Sequence, residues 1–445
     1  MIFFLLCAVS LFEVYSASSG QVTASKTHFE ILQHHALMLF VGIVLAWVIG
    51  DYVPASRFKL LASLGVALGI VALFYTWLWG AEINGARRWI SILGFQIQTS
   101  EFVKVAYIPF VAHTLAHIKG HKQTSSYFKM LCLILMIAVV LTIGLIVPSN
   151  LSMALLYIVI TLALAYYADA KFLWQNKAGR WLGIFALAGL MLGGVYLGTA
   201  YVNRNEGLSP YVDDRYEVAL VAETATTMEE EAIGVSKLMN RATTWHNRVV
   251  NHLRDYPTNP RHLDINDKTS QEIYARLSIA LSNGGLGVGP GNSKQRDYLS
   301  LAYSDFIFAL IIEELGMGGA VFVLLLYALL VRQCFAIAKQ CTTPYHAYTA
   351  LGIGTAIGLQ VLVNVLVAVG VLPITGQTLP IISHGGSSIL ANSMLFGLLF
   401  SIVRYNRMRM AYEEQQKSKS SRRAIEHAEA RDEVATVIPA PALDA

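Results

Sequence analysis

The sequence predicts an all-α polytopic membrane protein of about ten transmembrane helices, with a large extracytoplasmic loop between helices seven and eight. Composition is the first reason, because 55% of the 445 residues are hydrophobic and 14% are charged, whereas soluble domains carry about 25% charged residues. The second reason is that apolar stretches recur at the length a spanning helix needs, roughly 20 residues. The formal net charge is only +4, and we expect no nucleic-acid partner.

Ten apolar segments divide the chain into a transmembrane domain, 1–404, and a tail, 405–445. We expect the tail to be cytoplasmic and disordered, because it is polar and charged from Tyr412 onward. The first segment is short and lacks a basic flank, so it is either a signal peptide or a true first span with a truncated start. The ten predicted spans are Ile2–Ser16, His35–Val53, Leu60–Trp79, Glu101–Ile118, Met130–Val147, Leu151–Ala168, Trp181–Tyr201, Ser304–Arg332, Tyr348–Leu372 and Ser387–Val403.

The distribution of lysine and arginine predicts which ends of the spans face the cytoplasm. Basic residues follow the even-numbered spans, and the loops after spans five and nine contain none. By the positive-inside rule, both termini are cytoplasmic and the loop 202–303 is outside. The basic residues after spans two, four, six and eight are Arg57, Lys59, Lys119, Lys122, Lys129, Lys171, Lys177, Arg180, Arg332 and Lys339.

Two arginines, Arg87 and Arg88, lie on the side that should be poor in positive charge. A guanidinium group binds phosphate oxygens well, so the pair indicates an anionic ligand such as a phosphate or pyrophosphate. The alternative is that the arginines anchor the chain at lipid headgroups beside Trp89. Glu101 and Lys104 follow at positions i and i+3 and can pair on one helix face, either as a structural staple or as a cavity wall.

The stretch Asn283–Gly319 joins a glycine-rich loop to an apolar helix that carries acidic residues. Carboxylates at membrane depth are expensive and persist where they pair, line a watery cavity or do chemistry. The stretch therefore predicts an enzyme or transporter whose site lies at a membrane face. The glycines do not follow a strand or end in the Lys-Ser/Thr pair of a nucleotide-binding loop. The acidic residues are Asp305, Glu313 and Glu314.

Four sequence blocks together resemble the SEDS family (shape, elongation, division and sporulation), with FtsW and RodA relatives. The resemblance extends from Tyr15–Ser18 to the last span. The blocks are NGARRWI…QTSEFVK at 84–104, PSNLS at 148–152, the glycine-rich stretch at 283–319 with YSDFIF, and PITGQTLPIISHGGSS at 373–388.

The resemblance implies a peptidoglycan glycosyltransferase that polymerises lipid II at the outer face of the cytoplasmic membrane. It implies that the protein works beside a class B penicillin-binding protein and other membrane proteins of the division septum. Asp305 matches the family's essential aspartate, and we expect it to be the general base or to orient the acceptor hydroxyl. The residues expected to bind substrate are Arg87, Arg88, Glu101, Lys104, Arg241, Gln271, Asp297, Ser387 and Ser388.

Cofactor use stays open. The four cysteines have no metal-ligand spacing, so no zinc site is expected. We assign no cofactor, and leave open a divalent cation, Mg²⁺ or Mn²⁺, that would help Arg87, Arg88 and Lys104 to neutralise pyrophosphate.

The chain departs from the family pattern at several positions. Thr99 replaces a proline, Asn150 and Ser152 change the second block, Ser300-Leu301 replaces Pro-Glu, and His384 replaces a tyrosine. An apparent insertion covers about 203–234. The pattern from Arg241 to Trp245 favours the division-type branch over the elongation-type (RodA-like) branch. The alternatives to a polymerase are a lipid II flippase and a scaffold that binds the penicillin-binding protein.

Overall fold

The computed structural model describes residues 1–17, 28–83, 86–92, 95–119, 125–168, 270–282, 286–299 and 302–437. Within these ranges the chain forms helices and one small antiparallel sheet. The elements are α1 (Ile2–Ala17), α2 (His28–Tyr52), α3 (Phe58–Trp79), β1 (Ala81–Ile83), β2 (Ala86–Ile92), β3 (Phe95–Gln98), α4 (Thr99–Lys119), α5 (Ser126–Ile146), α6 (Leu151–Tyr167), α7 (Ser270–Ala280), α8 (Ile307–Gln340), α9 (Pro344–Ala368) and α10 (Gly386–Val437).

The helices confirm the predicted all-α polytopic membrane fold. Every predicted span falls on a helix except the seventh, Trp181–Tyr201, which lies outside the described residues. Six of the described helices are long and apolar enough to cross a membrane, and α1 and α6 are shorter apolar helices. Helix α4 is less apolar because it carries Glu101, Lys104 and Lys119.

Contacts near the ends of the helices fit the predicted sidedness. At the outer end, the Arg88 side chain contacts the backbone of Ser149. At the inner end, Lys59 lies over the Tyr345 ring and Arg409 donates to Thr342. The loops predicted to share a side are therefore neighbours in space.

The helix bundle is built around α4, α9 and α10, whose inward faces carry polar side chains among apolar ones. Helix α10 packs along α2, α8 packs along α9, and α3 packs along α4. Gln360, Asn364 and Asn392 are completely buried. In a bilayer, buried amides of this kind join helices through hydrogen bonds rather than through a hydrophobic effect. They position the site described below.

The sequence reasoning missed the sheet that covers the outer end between α3 and α4. Strand β2 pairs antiparallel with β1 and β3, and Trp89 lies opposite Gln98. Ile83 pairs with Ala86, so a two-residue connection, Asn84-Gly85, joins β1 to β2. An Asn-Gly pair between two strands is a strong hairpin signal, and it could have revealed this sheet.

The chain after the last span differs from the expectation of disorder. Helix α10 continues through residue 405 to Val437, so disorder does not fit residues 405–437. Its side chains from Met410 to Arg422 are exposed. Ion pairs such as Arg409 with Glu413, 3.0 Å apart at i and i+4, support a helix of polar composition.

Candidate functional site at the outer end of the helix bundle

Asp305 lies in the turn just before α8, at the predicted outer face. Its side chain accepts a hydrogen bond from Ser304 Oγ at 3.0 Å, and its residue surface is 9% exposed. The backbone carbonyl accepts a hydrogen bond from Asn364 Nδ2 at 2.9 Å. The same amide group donates to the Gln377 carbonyl at 2.7 Å. Asn364 on α9 therefore joins the aspartate turn to the segment 373–388.

The Asp305 carboxylate and the Arg88 guanidinium both lie close to Gly376. A Cβ placed on Gly376 would lie 3.6 Å from Asp305 Oδ2 and 3.4 Å from Arg88 Nη1. Gly376 has φ +70°, a conformation that favours glycine. A side chain at position 376 would therefore contact both the carboxylate and the guanidinium.

The two arginines of β2 differ in their contacts. Arg88 Nε donates to the Ser149 carbonyl at 2.6 Å, which holds the side chain beside the second sequence block. Arg87 donates to the Leu78 carbonyl, and its Nε lies 3.5 Å from Glu82 Oε2. Both arginines line a cavity of about 10 Å³, which is room for about one water molecule. The structure brings Arg88 to Asp305 and ties Arg87 to the end of α3 and β1.

The second and fourth sequence blocks meet beside this pair. Ser152 Oγ lies 2.8 Å from Asn150 Oδ1, 3.2 Å from the Thr375 carbonyl and 2.9 Å from Gln377 Nε2. Asn150 also caps α6 by accepting a hydrogen bond from the Met153 amide. Asn150 and Ser152, which depart from the family pattern, therefore hold the loop that contains Gly376.

Glu101 and Lys104 form the centre of a buried polar quartet with Gln360 and Asn392. Lys104 Nζ donates to Glu101 Oε2 at 2.7 Å, to Gln360 Oε1 at 2.8 Å and to Asn392 Oδ1 at 3.4 Å. Gln360 Nε2 donates to the other Glu101 oxygen at 3.2 Å. Lys104 is 0% exposed. Each of its three ammonium protons has an acceptor, so the quartet fits the staple interpretation of this pair.

Ser387 and Ser388 fasten the start of α10 to its surroundings. Ser387 Oγ donates to the Gln96 carbonyl at 2.9 Å and accepts from the Gln98 amide at 3.1 Å, which ties α10 to β3. Ser388 Oγ accepts from Thr378 Oγ1 at 2.8 Å and from Asn392 Nδ2 at 3.2 Å. Both serines are buried, so they hold the fourth block in place.

Glu313 and Glu314 anchor the glycine-rich loop to α8. Gly316 has φ 69° and interrupts the helix, so the Glu313 and Glu314 carbonyls accept hydrogen bonds from the Val288 and Gly289 amides at 2.8 and 3.0 Å. A Cβ on Gly287 would overlap the Glu314 carbonyl, so this loop position requires glycine.

The carboxylates of the same two residues hold further parts of the loop and of α1. Glu313 accepts a hydrogen bond from Ser293 Oγ at 2.7 Å. Glu314 accepts from Ser16 Oγ at 2.6 Å and from the Gly291 amide at 3.2 Å. The two glutamates thus have a structural role that their membrane position alone did not distinguish from a catalytic one.

Two of the remaining predicted site residues lie on other parts of the described chain, and one lies outside the described residues. Gln271 lies on α7, which packs against α8. Asp297 has an exposed side chain whose Oδ1 lies 3.8 Å from Arg296 Nε. Arg241 lies outside the described residues. Within the described ranges, no three His, Cys, Asp or Glu side chains are grouped to hold a metal ion.

His384, one of the departures from the family pattern, joins the fourth block to α2 and α1. Its Nδ1 lies 3.2 Å from His35 Nδ1, and His35 Nε2 lies 2.7 Å from Ser10 Oγ. Burial, and then the nearby His34, lower the pKa of His384 to about 4. Its ring is therefore neutral near pH 7. The Ser10 hydroxyl also contacts the Ile381 carbonyl at 2.8 Å, where φ is 71°.

The fold and the site define a polytopic membrane protein with an aspartate and an arginine at the outer end of its helices. A profile described as a cell cycle protein, FtsW/RodA/SpoVE, matches residues 1–213 and 228–408. The chain belongs to the FtsW/RodA/SpoVE family. The residues that the match skips, 214–227, lie inside the insertion predicted at about 203–234.

Three similar relatives carry the name probable peptidoglycan glycosyltransferase FtsW. The protein of Coxiella burnetii is 28% identical over 89% of this chain and 93% of its own length. The protein of Aliivibrio salmonicida is 29% identical over 92% and 88%. The protein of Halorhodospira halophila is 30% identical over 88% and 86%.

Two solved structures have the same fold. One is a chain from work on a peptidoglycan synthase complex that coordinates polymerization and crosslinking; it is 24% identical, with a TM-score of 0.61 over 91% of this chain and 97% of that one. The other is the rod shape determining protein RodA of Thermus thermophilus, which is 20% identical, with a TM-score of 0.54 over 91% and 95%.

Proposed function

We propose that this chain is a peptidoglycan glycosyltransferase that polymerises lipid II into glycan strands at the outer face of the cytoplasmic membrane during cell division. The observation that carries the proposal is that the Asp305 carboxylate and the Arg88 guanidinium both lie within 4 Å of a Cβ placed on Gly376. Glycosyl transfer from a diphosphate donor needs a base and a cation close together. The names of the similar relatives support the division-type branch.

In the proposed reaction, a hydroxyl of the acceptor sugar attacks the anomeric carbon of the donor. A new glycosidic bond forms, the bond from carbon to the diphosphate oxygen breaks, and the diphosphate leaves with that electron pair. Asp305 accepts the proton of the hydroxyl or orients the hydroxyl for attack. Arg88, helped by Arg87, stabilises the negative charge that grows on the diphosphate.

Lys104, Ser387 and Ser388 act as supports for this site. The three ammonium protons of Lys104 have acceptors within the buried quartet, so a diphosphate contact would require Lys104 to leave Glu101. A role of Asp297, Gln271 or Arg241 toward the acceptor stays a prediction, as does any dependence on Mg²⁺ or Mn²⁺. Activity measured with a chelator would test the cation.

An apolar cavity of about 500 Å³ supports a lipid-linked donor. It is lined by α2, α3, α4 and α10 and reaches from Ile90 and Ile97 of the outer sheet to Val53 and Phe58 at the inner ends of α2 and α3. It touches both the sheet that carries the arginines and the apolar helix faces. A polyprenyl chain lying along it would deliver its diphosphate to the outer end of the bundle.

We infer that the protein works in the cytoplasmic (inner) membrane at the division septum, with a class B penicillin-binding protein and other septal membrane proteins. The similarity to a chain from work on a peptidoglycan synthase complex supports such a partner. Complementation of a division-defective strain, compared with an elongation-defective strain, tests the division assignment. Rescue of the elongation defect alone would contradict it.

Reconstitution of the purified full chain tests the activity. The protein is supplied with labelled lipid II, with and without a penicillin-binding protein, and the products are separated on a gel. Glycan strands that disappear in Asp305→Asn confirm the proposal. Movement of labelled lipid II across the bilayer without polymer would instead indicate a flippase. Neither polymer nor movement, even with the partner, would indicate a scaffold.

A further inference from the structure

A second cavity lies in the cytoplasmic half of the bundle, away from Asp305. Its volume is about 510 Å³, and it lies between α3, α4 and α5. The residues around it come from the first half of α3, the second half of α4 and the first half of α5. By the positive-inside orientation, these are the cytoplasmic halves of the helices. The proposed glycosyl transfer does not use this cavity.

The dimensions of the cavity match one leaflet of a bilayer. It follows α5 from Tyr127 to Ala138, which at 1.5 Å per residue is about 17 Å. The hydrocarbon core of a bilayer is about 30 Å thick, so the cavity has about the depth of one leaflet. Its walls are apolar, and Ile134 and Ile137 on α5 are exposed to the surroundings of the bundle. An acyl chain of a phospholipid fits this space.

Polar groups collect at the cytoplasmic end of the cavity. The rings of His113 and His117 have centroids 4.4 Å apart, and both residues line the cavity. The Ser63 and Thr114 hydroxyls donate to backbone carbonyls of their own helices. The Nδ1 atom of His113 is buried and has no hydrogen-bond partner among the described residues. Such a nitrogen is destabilising unless a ligand atom satisfies it.

The charge at this end is positive. Lys59 Nζ lies 5.5 Å from the centroid of the Tyr345 ring, and that ring lies 5.6 Å from the ring of His113. The residues lining the cavity, within the part of the chain that the structure describes, include no Asp or Glu. The N-terminus of α5, the positive end of a helix dipole, begins at Ser126, next to Tyr127 of the cavity.

We propose that this cavity binds an anionic phospholipid of the cytoplasmic leaflet. The phosphate and headgroup lie beside Lys59, His113 and His117, and one acyl chain lies between α3 and α5. A neutral lipid would contact the same apolar walls but would gain no electrostatic attraction from Lys59. The ligand is thus distinguished from the bulk lipid by its charge.

Lipid titration by native mass spectrometry tests the proposal on the full chain in detergent. The probes are dioleoyl phosphatidylglycerol and dioleoyl phosphatidylcholine, which have the same acyl chains and differ in net charge. We expect tighter binding of the phosphatidylglycerol. Lys59→Gln should weaken phosphatidylglycerol binding about fivefold, as for the loss of one basic residue at a membrane surface. Ala67→Phe, an exposed position that lines the cavity, should weaken binding of both lipids.

Lys339→Gln is the matched control, because it removes an exposed lysine from the cytoplasmic end of α8, outside the cavity. Equal binding of the two lipids, or an equal effect of Lys59→Gln and Lys339→Gln, would overturn the charge selection. Unchanged binding of both lipids in Ala67→Phe would overturn the assignment to this cavity. If soluble glycerol 3-phosphate competes as strongly as the lipid, the site binds phosphate and the lipid proposal fails.

Discussion

At the scale of single residues, the candidate site depends on the distance between two charges of opposite sign. Asp305 and Arg88 both approach Gly376, with a carboxylate oxygen and a guanidinium nitrogen within 4 Å of the position of its absent Cβ. An acceptor hydroxyl and a donor diphosphate could enter that space. The Ser304 hydroxyl and the Asn364 amide hold Asp305 in place from two sides.

The first prediction concerns the carboxylate. Asp305→Asn keeps the size of the side chain and removes its basicity, so lipid II polymerisation should fall by about 10²–10⁴-fold while membrane insertion is unchanged. Gel analysis of glycan strands measures the loss. Glu30→Gln, an exposed carboxylate near the outer end of α2, is the control and should keep normal activity. Normal polymerisation by Asp305→Asn would exclude Asp305 as the base.

The second prediction concerns the gap at Gly376. Gly376→Ala puts a methyl group within 4 Å of both Asp305 Oδ2 and Arg88 Nη1 and imposes a left-handed conformation on alanine, at a cost of about 1–2 kcal/mol. The loss of polymerisation activity should be larger than the loss of folding stability alone would cause. Gly291→Ala has a similar φ, +76°, with no atom within 4 Å of the new Cβ, so it isolates the backbone cost. Equal activity losses in the two variants would mean that the gap has no role in substrate binding.

At the scale of elements, buried polar groups decide how the helices of this chain fit together. The quartet of Glu101, Lys104, Gln360 and Asn392 joins α4, α9 and α10. The kink at Gly316 in α8 exposes two carbonyls that bind the glycine-rich loop. In each case a group that would be costly in lipid is satisfied by a neighbouring element.

The third prediction separates the staple from a substrate contact. Lys104→Met leaves the Glu101 carboxylate buried without its cation, which should destabilise the fold by about 3–5 kcal/mol. The double variant Glu101→Gln, Lys104→Met should recover much of that loss, as measured by the thermal unfolding midpoint in detergent. If the double variant regains stability but not polymerisation, the Glu101–Lys104 pair has a role in catalysis beyond the staple.

At the scale of the whole molecule, the two ends of the bundle carry different chemistry. The outer end holds the strands, the aspartate and the arginine, and the inner end holds the basic loops and the extended α10. Beyond Tyr412, the side chains of α10 that the structure describes are exposed. Within the described part of the chain, the candidate site at the outer end therefore has no contact with the tail.

The fourth prediction follows from this separation. Truncation after Tyr412 removes the exposed part of α10 and leaves the bundle intact, so polymerisation by the purified protein should stay within about twofold of the full chain, because surface changes are usually worth within ±0.5 kcal/mol. The rate of glycan formation at a fixed protein concentration measures it. A truncation that stops before Ser401, whose hydroxyl bonds to the Val53 carbonyl, should unfold the bundle and serves as the contrasting variant. Loss of activity in the truncation after Tyr412 would mean that the tail contributes to catalysis.

The sequence by itself determined the membrane fold and most span positions, whereas the sidedness and the role of Asp305 stay predictions. The length of an apolar segment and the placement of basic residues beside it reflect the bilayer and the water around the protein. Both can therefore be recognised from each short segment of sequence. The sheet at 81–98 was missed because its strands are short, although Asn84-Gly85 carried a signal. Asn364 and Gln360 were missed because single amides within long apolar segments do not change a span prediction.

The tertiary structure alone decided which polar residues share a site. Glu101, Glu313 and Glu314 are similar acids in apolar surroundings, and the sequence could not tell them from Asp305 except by resemblance. The structure distinguishes them by position: Glu101, Glu313 and Glu314 accept hydrogen bonds from Gln360, Ser293 and Ser16 of other segments. The Asp305 carboxylate lies close to Gly376, as Arg88 does. Local patterns report the cost of burying a charge, but only the three-dimensional arrangement shows which neighbour offsets that cost.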